Sequence, residues 1–264
     1  AHHRAHESAR RGVMTPPQPR PVPGVALVGA GPGDPELITV RGRRLLSRAD
    51  VVIADRLAPQ LLLDELPSHV ELIDAAKLPY GRAVAQEEIN RLLVEHARAG
   101  RYVVRLKGGD SFLFGRGGEE LAACLEAGVP VEVVPGVTSA LAVPAVAGIP
   151  VTHRGVAHEL VVVSGHVAPD HPDSLVDWAA LGRLRGTLVL LMGVENLPKI
   201  AAALRAAGRP PQTPAAAIQE GTTTHQRVVT ATLDTIAERV AAEGIKAPAI
   251  IVIGDVAALA PRSP

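Results

Sequence analysis

The sequence predicts an α/β protein with two domains, on three observations. Short apolar strands alternate with amphipathic helices from Val25 onward. Apolar residues make up 47% of the 264 residues and aromatic residues only 2%, so Ala, Val, Leu and Ile must build the core, as in a parallel sheet covered by helices. The alternation is interrupted at residues 148–150, and a strand pair at residues 214–230 with a short polar loop then predicts a hairpin.

The first domain is predicted over residues 25–150. Residues 1–24 are rich in Arg, His and Pro and have no apolar periodicity, which predicts a disordered tail. The domain then contains predicted strands at 25–28, 51–54, 70–73, 102–106 and 131–134. Helices are predicted at 37–47 and 86–99, from Glu119 onward, and after Pro135-Gly136. The strands and helices alternate in the way that αβα domains require.

The second domain is predicted over residues 151–264. Strands are expected at 160–163, 187–192, 214–219, 226–230 and 249–253, with a helix at 196–207 that Gly208 ends. Because the hairpin places two of these strands antiparallel, the second sheet is predicted to be mixed. A ligand site is expected in the cleft between the two domains.

Charge and composition exclude several classes of function. Lys plus Arg and Asp plus Glu are equal at 27 each, so no global field attracts nucleic acid. No apolar run is long enough to cross a bilayer, so no membrane span is predicted. The one cysteine, Cys124, cannot form an intramolecular disulfide, which is typical of a cytoplasmic protein. The spacing of His153, His158 and His166 indicates no metal site.

The most informative segment is the glycine-rich loop at residues 108–118. It follows a β-branched strand and precedes a helix that starts near Glu119. Gly108 and Gly109 permit positive φ or a close approach of backbone to a ligand, and Asp110 adds a carboxylate beside them. Loops of this kind on α/β scaffolds usually carry the functional site.

A second glycine loop, at residues 29–34, is close to a dinucleotide-binding pattern. The first strand precedes it, and acidic residues follow at about the spacing that the pattern requires. Pro32 and Asp34 depart from the pattern, and the carboxylates of Asp34 and Glu36 would repel a pyrophosphate. A nicotinamide-dependent oxidoreductase is therefore an alternative rather than the main hypothesis.

Several segments resemble the motifs of the tetrapyrrole methylases. The shared segments are Val28–Pro35, Arg105–Asp110, Pro135–Ala140 and Gly148–Arg154. Further segments are similar to those members of the family that methylate uroporphyrinogen III: Asp55–Leu57, Gln86–Asn90, Phe112–Glu120, Ser164–His166, Leu190–Gly193, Glu220–Thr222 and Pro248–Ile250. The resemblance runs from about Val25 to Ala258.

The resemblance implies two αβα domains with S-adenosylmethionine in the cleft between them, and a homodimer. It implies methylation of the small-molecule tetrapyrrole uroporphyrinogen III at C2 and C7, giving precorrin-2 for sirohaem or cobalamin. A methylase that acts on another tetrapyrrole or precorrin is an alternative, and a non-catalytic binding module is a third. The module would explain the fold but not the clustered loop glycines.

The resemblance also assigns site residues. Asp55 and Lys77 take the positions of the family's acid/base pair, Lys77 being located by counting back from Gln86. The implied contacts with S-adenosylmethionine are Pro32, Gly108, Gly109, Asp110, Leu113, Thr138, Ser139, Met192 and Gly221. A substrate with eight carboxylates needs local cations, and guanidinium groups bind carboxylates well. The candidates at strand ends and in loops are Arg56, Arg82, Arg105, Lys107, Arg116 and Arg154.

Overall fold

A computed structural model of the chain describes residues 24–78 and 82–262, without the side chains of Arg82, Ala83 and Val84. The predicted tail at residues 1–23 lies outside the described residues. Gly24, which was predicted as its last residue, is buried, and its carbonyl accepts a hydrogen bond from the Val103 N–H at 2.9 Å. Gly24 therefore belongs to the folded domain and not to the predicted tail.

The described residues form two compact units. Residues up to Ala30 together with Ile38–Gly136 make the first, and Gly31–Leu37 with the residues from Val137 onward make the second. The division at residue 136 differs from the predicted boundary near residue 150 by one helix, Ser139–Val146, which packs on two strands of the second unit.

The first unit is built on a five-stranded parallel sheet. Its strands are β1 (Val25–Gly29), β2 (Val51–Ala54), β3 (Glu71–Asp74), β4 (Val103–Lys107) and β5 (Val131–Val134). They lie in the order β3-β2-β4-β1-β5, and every pairing is parallel. Strand β4 is central, so it is paired on both of its edges, and all five of its residues are buried.

In the described part of the chain, the α-helices that accompany this sheet are α1 (Val40–Leu46), α2 (Gln60–Asp64), α3 (Arg82–Arg98) and α4 (Gly117–Glu126). Helix α1 begins later than predicted because the Thr39 hydroxyl accepts a hydrogen bond from the Gly42 N–H and caps it. Helix α2 was not predicted. Helix α3 is followed by Gly100 at φ +83°, a left-handed conformation that favours glycine and ends the helix.

The second unit contains a mixed sheet, as predicted. Its strands are β6 (Leu160–Ser164), β7 (Thr187–Leu191), β8 (Pro214–Gln219), β9 (Arg227–Thr232) and β10 (Ala249–Ile253). The order is β6-β7-β10-β8-β9; β6 and β7 are parallel, and the other pairs are antiparallel. The pairing of β8 with β9 confirms the predicted hairpin.

The helices of this unit are α5 (Ser139–Val146), α6 (Trp178–Arg183), α7 (Leu197–Ala206) and α8 (Ile236–Ala242). Sequence analysis found α5 and α7 and missed α6 and α8. Aliphatic side chains fill the core between sheet and helices, including Leu188, Ile200 and Ile251, all of them inaccessible to solvent. No helix in the described ranges is long and apolar enough to cross a membrane.

Candidate functional site

In the first unit, the predicted catalytic residues and the glycine-rich loop follow the carboxyl ends of neighbouring strands, which meet at one edge of the sheet. Ala54 pairs with Leu106 and with Asp74, and Gly29 pairs with Lys107. Since the strands are parallel and these partners are at their carboxyl ends, the segments after β2, β3 and β4 emerge side by side. This edge is where ligands bind in open α/β sheets.

Asp55 is the first residue after β2. Its N–H donates to the Leu106 carbonyl at 3.2 Å, and its carbonyl accepts from the Ala58 N–H at 3.1 Å, which closes a turn. The carboxylate is 35% exposed, and its Oδ1 lies 2.8 Å from Nη1 of Arg105. The Asp55 carboxylate therefore pairs with the Arg105 guanidinium while part of its surface remains exposed to solvent. The next helix begins at Gln60 and does not include Asp55.

Lys77 ends the short 3-10 helix Ala75–Lys77 that follows β3. The Asp74 side chain accepts from the Ala76 N–H at 2.9 Å and caps this helix. Lys77 is exposed. Because β2 and β3 are neighbours in register, the structure brings the segments that carry Asp55 and Lys77 to adjacent positions on the sheet edge.

A buried ion network lies beneath Asp55. Arg105 contacts Asp55 and also Glu120, with 2.6 Å between its Nε and the Glu120 Oε2. Lys107 Nζ lies 2.5 Å from the Glu120 Oε1. The Glu120 side chain is inaccessible to solvent, and the Arg105 side chain is 2% exposed.

The structure does not support the prediction that Arg105 binds a substrate carboxylate. Its guanidinium is buried, and it already faces two carboxylates of the protein and the carbonyl of Ile53 at 3.2 Å. The physical reason is the position of Arg105 in the central strand of a covered sheet.

The same buried network shifts the pKa of Lys107. Burial lowers the pKa of its ammonium group, with the charge of Glu120 acting against this shift and that of Arg105 adding to it.

The loop at 108–118 is held by backbone contacts and by Asp110. A Cβ on Gly108 would come within 2.6 Å of the Leu57 carbonyl oxygen, so this glycine is needed for contact with the loop after β2. Gly109 has φ +65°. The Asp110 Oδ1 accepts from the Gly136 N–H at 2.9 Å, and its Oδ2 accepts from the Phe112 N–H at 3.0 Å. Asp110 therefore joins the loop after β4 to the loop after β5.

The side chains of three other predicted arginines, Arg56, Arg116 and Arg154, are on the surface, and that of Arg82 is outside the part of the chain that the structure describes. Arg116 precedes α4 with φ 59°, and its Nη2 lies 2.9 Å from Oε2 of Glu119. Arg56 is exposed directly after Asp55. Arg154, in the second unit, is exposed in a turn that hydrogen bonds between His153 and Ala157 close at 3.0 Å. Exposed guanidinium groups of this kind can reach an anionic ligand.

In the second unit, the remaining predicted cofactor residues follow strand ends and a helix start. Leu191 of β7 and Ile218 of β8 both pair with Ile250 of β10. Because β7 and β8 both run antiparallel to β10, they point in the same direction, and Met192 and Gly221 follow their carboxyl ends. A Cβ on Gly221 would come within 2.4 Å of a Val143 side-chain carbon on α5.

The N-terminus of α5 and the loop at residues 31–37 contribute the other predicted contacts in this unit. Thr138 caps α5, its hydroxyl accepting from the Ala140 N–H at 3.2 Å, and Ser139 is the first residue of that helix. Pro32 belongs to a loop that contacts the segment after β8, because the Asp34 N–H donates to the Thr222 hydroxyl at 3.0 Å. The structure thus connects Pro32 with Gly221 through adjoining loops.

Left-handed backbone conformations are concentrated in these loops. Among the described residues, the non-glycine residues with positive φ are Phe114, Arg116, Met192, Glu220 and Thr222. Each such conformation is unfavourable, and such strain typically accompanies ligand sites. The side chains of Phe112, Phe114 and Met192 are also 46–47% exposed, which leaves apolar surface for a ligand.

Sequence analysis did not assign Glu120 or Gln86 to the site. It took Lys107 as a candidate for binding a substrate carboxylate, but the Lys107 side chain is only 4% exposed and already faces Glu120. Gln86 Nε2 lies 3.4 Å from Oε2 of Glu120, and both side chains are buried. A signal was present, since Arg105 and Lys107 alternate with Val104 and Leu106 in a strand that its neighbours bury on both sides. Charged residues in such a strand require buried partners.

Comparisons with known proteins show the family of this chain. The family model of tetrapyrrole (corrin/porphyrin) methylases matches residues 24–237. An S-adenosyl-L-methionine-dependent uroporphyrinogen III methyltransferase from Methanosarcina barkeri is 47% identical over 232 residues, which is 88% of this chain and 91% of that protein.

A solved structure and a longer relative are also similar to this chain. The crystal structure of uroporphyrin-III C-methyltransferase from Thermus thermophilus complexed with S-adenosylhomocysteine has a TM-score of 0.74 at 42% identity, covering 91% of this chain and 96% of that one. The siroheme synthase of Methylococcus capsulatus is 49% identical over 92% of this chain, and the match spans 51% of that enzyme. The chain therefore spans about half the length of this siroheme synthase.

Proposed function

The chain belongs to the tetrapyrrole (corrin/porphyrin) methylase family, and we propose that it is an S-adenosylmethionine-dependent uroporphyrinogen-III C-methyltransferase that methylates C2 and C7 to give precorrin-2. The observation that carries this proposal is the 47% identity to a uroporphyrinogen III methyltransferase over 91% of that relative's length. The family model in turn matches residues 24–237, a range that contains every predicted site residue.

The residues present fit S-adenosylmethionine in each unit. The first unit offers Gly108, Gly109, Asp110 and Leu113 in a loop with left-handed backbone, and the second offers Pro32, Thr138, Ser139, Met192 and Gly221 at strand and helix ends. Exposed apolar side chains beside these loops suit the nucleoside and the carbon groups attached to sulfur. When bound, this group supplies a methyl on a sulfonium, which reacts without further activation once it is aligned.

The acceptor chemistry gives Asp55 a role. An electron pair of a pyrrole carbon forms the new C–CH₃ bond, and the electrons of the S–CH₃ bond pass to sulfur. The ring then carries a positive charge, and one proton must leave. The partly exposed carboxylate of Asp55 stabilises this charge and accepts the proton. Lys77, at the end of the neighbouring strand, is proposed as the partner that returns or holds a proton.

The substrate's carboxylates must be met locally, because the net charge of the chain is zero. We assign this task to the exposed guanidinium groups of Arg56, Arg116 and Arg154, and no longer to Arg105. Of these, Arg116 is the best supported because its backbone is held in a left-handed conformation at the start of α4.

Two properties rest on the family resemblance and on composition. We propose a homodimer, which sedimentation equilibrium tests by mass. We also propose a cytoplasmic location. The cysteine Cys124 is buried and forms no disulfide, which is compatible with a reducing compartment. Cell fractionation with an antibody against the chain tests the location.

The proposed function is tested by two measurements. Calorimetric titration with S-adenosylhomocysteine and with NADH separates a methylase from a nicotinamide enzyme, and we expect heat only with the first. Anaerobic incubation with S-adenosylmethionine and uroporphyrinogen III is expected to release S-adenosylhomocysteine. Release only with a later corrin intermediate as acceptor would identify a different methylase of the same family.

A further inference from the structure

We infer that Arg105 is a positioning residue for Asp55, and that Glu120 and Lys107 hold Arg105 in place for this task. The inference rests on the proposed function, since it concerns the carboxylate assigned to stabilise and deprotonate the methylated ring. All four residues belong to the first unit, and the ion pairs between them range from 2.5 to 2.8 Å.

Three contacts fix the guanidinium of Arg105. Its Nε lies 2.6 Å from the Glu120 carboxylate, and its Nη1 lies 3.2 Å from the Ile53 carbonyl oxygen and 2.8 Å from the Asp55 carboxylate. A planar group held at several points has one orientation, so the Asp55 oxygen that it binds has one position. The exposed remainder of the Asp55 carboxylate is thereby directed away from the protein interior.

Glu120 is itself held by two further side chains. Lys107 lies 2.5 Å from its Oε1, and Gln86 lies 3.4 Å from its Oε2. Lys107 Nζ also donates to the Gly115 carbonyl, in the glycine-rich loop. The network is therefore a continuous chain of contacts from this loop to Asp55.

Stability alone is a poor explanation for this arrangement. Removing charges from water is costly, and apolar residues of similar volume often stabilise a core as well as a buried ion pair does. The two cations and two carboxylates balance, so no charge is left over, but three of the four side chains are at most 4% exposed. What the network supplies that aliphatic side chains cannot is a fixed direction for the one partly exposed carboxylate.

The test is a double-mutant cycle between Arg105→Lys and Asp55→Asn. Lysine keeps the charge but lacks the planar fork, so it cannot make the contacts with Glu120, Ile53 and Asp55 together. We expect Arg105→Lys to lower kcat by about 10-fold or more, because misplacement of a reacting group by about 1 Å can cost about 10²-fold. The dissociation constant of S-adenosylhomocysteine is expected to change by less than about 3-fold, as for a transition-state role.

The cycle distinguishes positioning from a structural role. If Arg105 acts through Asp55, adding Arg105→Lys to Asp55→Asn will lower kcat no further, and the two effects will be strongly non-additive. Arg101→Lys is the matched control: Arg101 lies just before the same strand and pairs with Glu71 at 2.6 Å on the surface. Its kcat is expected to equal that of the wild type.

Three results would overturn the inference: an unchanged kcat in Arg105→Lys, additive effects in the double variant, or a wild-type kcat in Asp55→Asn. If Arg105→Lys does not fold, the double variant Arg105→Met/Glu120→Gln replaces it in the test. It removes one positive and one negative charge, and the new amide oxygen at position 120 can still accept a hydrogen bond from Lys107. A folded protein of that kind with wild-type kcat would also overturn the inference. A wild-type protein that does not methylate uroporphyrinogen III would instead refute the proposed function, so the two failures are distinguishable.

Discussion

Asp110 offers a sharp test of how the glycine-rich loop is built. One oxygen of its carboxylate accepts from the Gly136 N–H at 2.9 Å and the other from the Phe112 N–H at 3.0 Å. Asp110→Ala removes both acceptors, and the loop after β4 loses its link to the loop after β5. Because both loops contain predicted cofactor contacts or adjoin them, we expect the affinity for S-adenosylhomocysteine to fall.

The size of the effect follows from the two bonds. A hydrogen bond to a charged acceptor contributes about 1.5–3 kcal/mol, and the bond to Phe112 is exposed and contributes toward the lower end or less. One well-formed bond therefore corresponds to about a 10- to 150-fold loss of affinity. Asp110→Asn keeps one acceptor oxygen for Gly136 and is expected to lose less than about 10-fold. A direct contact between Asp110 and the cofactor, as the sequence predicts, would add to both losses.

Isothermal titration calorimetry measures these affinities directly. Asp177→Ala is the matched control, because the Asp177 carboxylate accepts from the Ala180 N–H at 3.0 Å and caps α6. That variant is expected to lose about 0.5–2 kcal/mol of stability and no affinity. An unchanged dissociation constant in Asp110→Ala, or one that changes only as much as in Asp177→Ala, would refute the assignment of Asp110 to the site.

Three further predictions concern chemistry, substrate and pH. Asp55→Asn should lower kcat by about 10²-fold or more with S-adenosylhomocysteine affinity nearly constant, and a wild-type kcat in steady-state assays would remove its acid/base role. Arg116→Ala should raise KM by a larger factor than it lowers kcat. The control Glu119→Gln changes only the ion-pair partner of Arg116 and should leave KM within about 3-fold. Equal changes of KM and kcat in both variants would count against a substrate contact. Burial raises the pKa of Cys124 to about 11 and that of Tyr102 to about 12, so the folded state keeps protons that the unfolded state releases near pH 9 and 10. Stability should therefore fall as pH rises from about 9 to 12, and denaturant titrations should show a shallower fall in Tyr102→Phe; a flat profile would contradict these shifts.

The sequence predicted the strands well because their signals are local. Runs such as residues 51–54 and 249–253 are apolar, short and bounded by polar residues, and the structure confirms both with their predicted bounds. Helices α2, α6 and α8 were missed because each has only five to seven residues, too few for a helical period to stand out. The predicted N-terminus of α1 was too early, because the cap at Thr39 decides it.

The site was predictable only where its residues form contiguous motifs. The loop at 108–118 and the segment after β2 were found in this way. The network of Arg105 with Asp55 and Glu120 was not, because its members lie 50 and 15 residues apart in the chain and meet only through sheet order and helix packing. Arg105 was consequently predicted to bind substrate, although a central strand buries it.

The most direct measurement of the central claim is mass spectrometry of the tetrapyrrole formed from uroporphyrinogen III and methyl-deuterated S-adenosylmethionine, with the purified protein under anaerobic conditions. The proposed function predicts a product that carries two labelled methyl groups, one on C2 and one on C7, with fragments that place them on separate rings. Recovery of unmodified uroporphyrinogen III, while the same protein transfers labelled methyl groups to another tetrapyrrole, would contradict it.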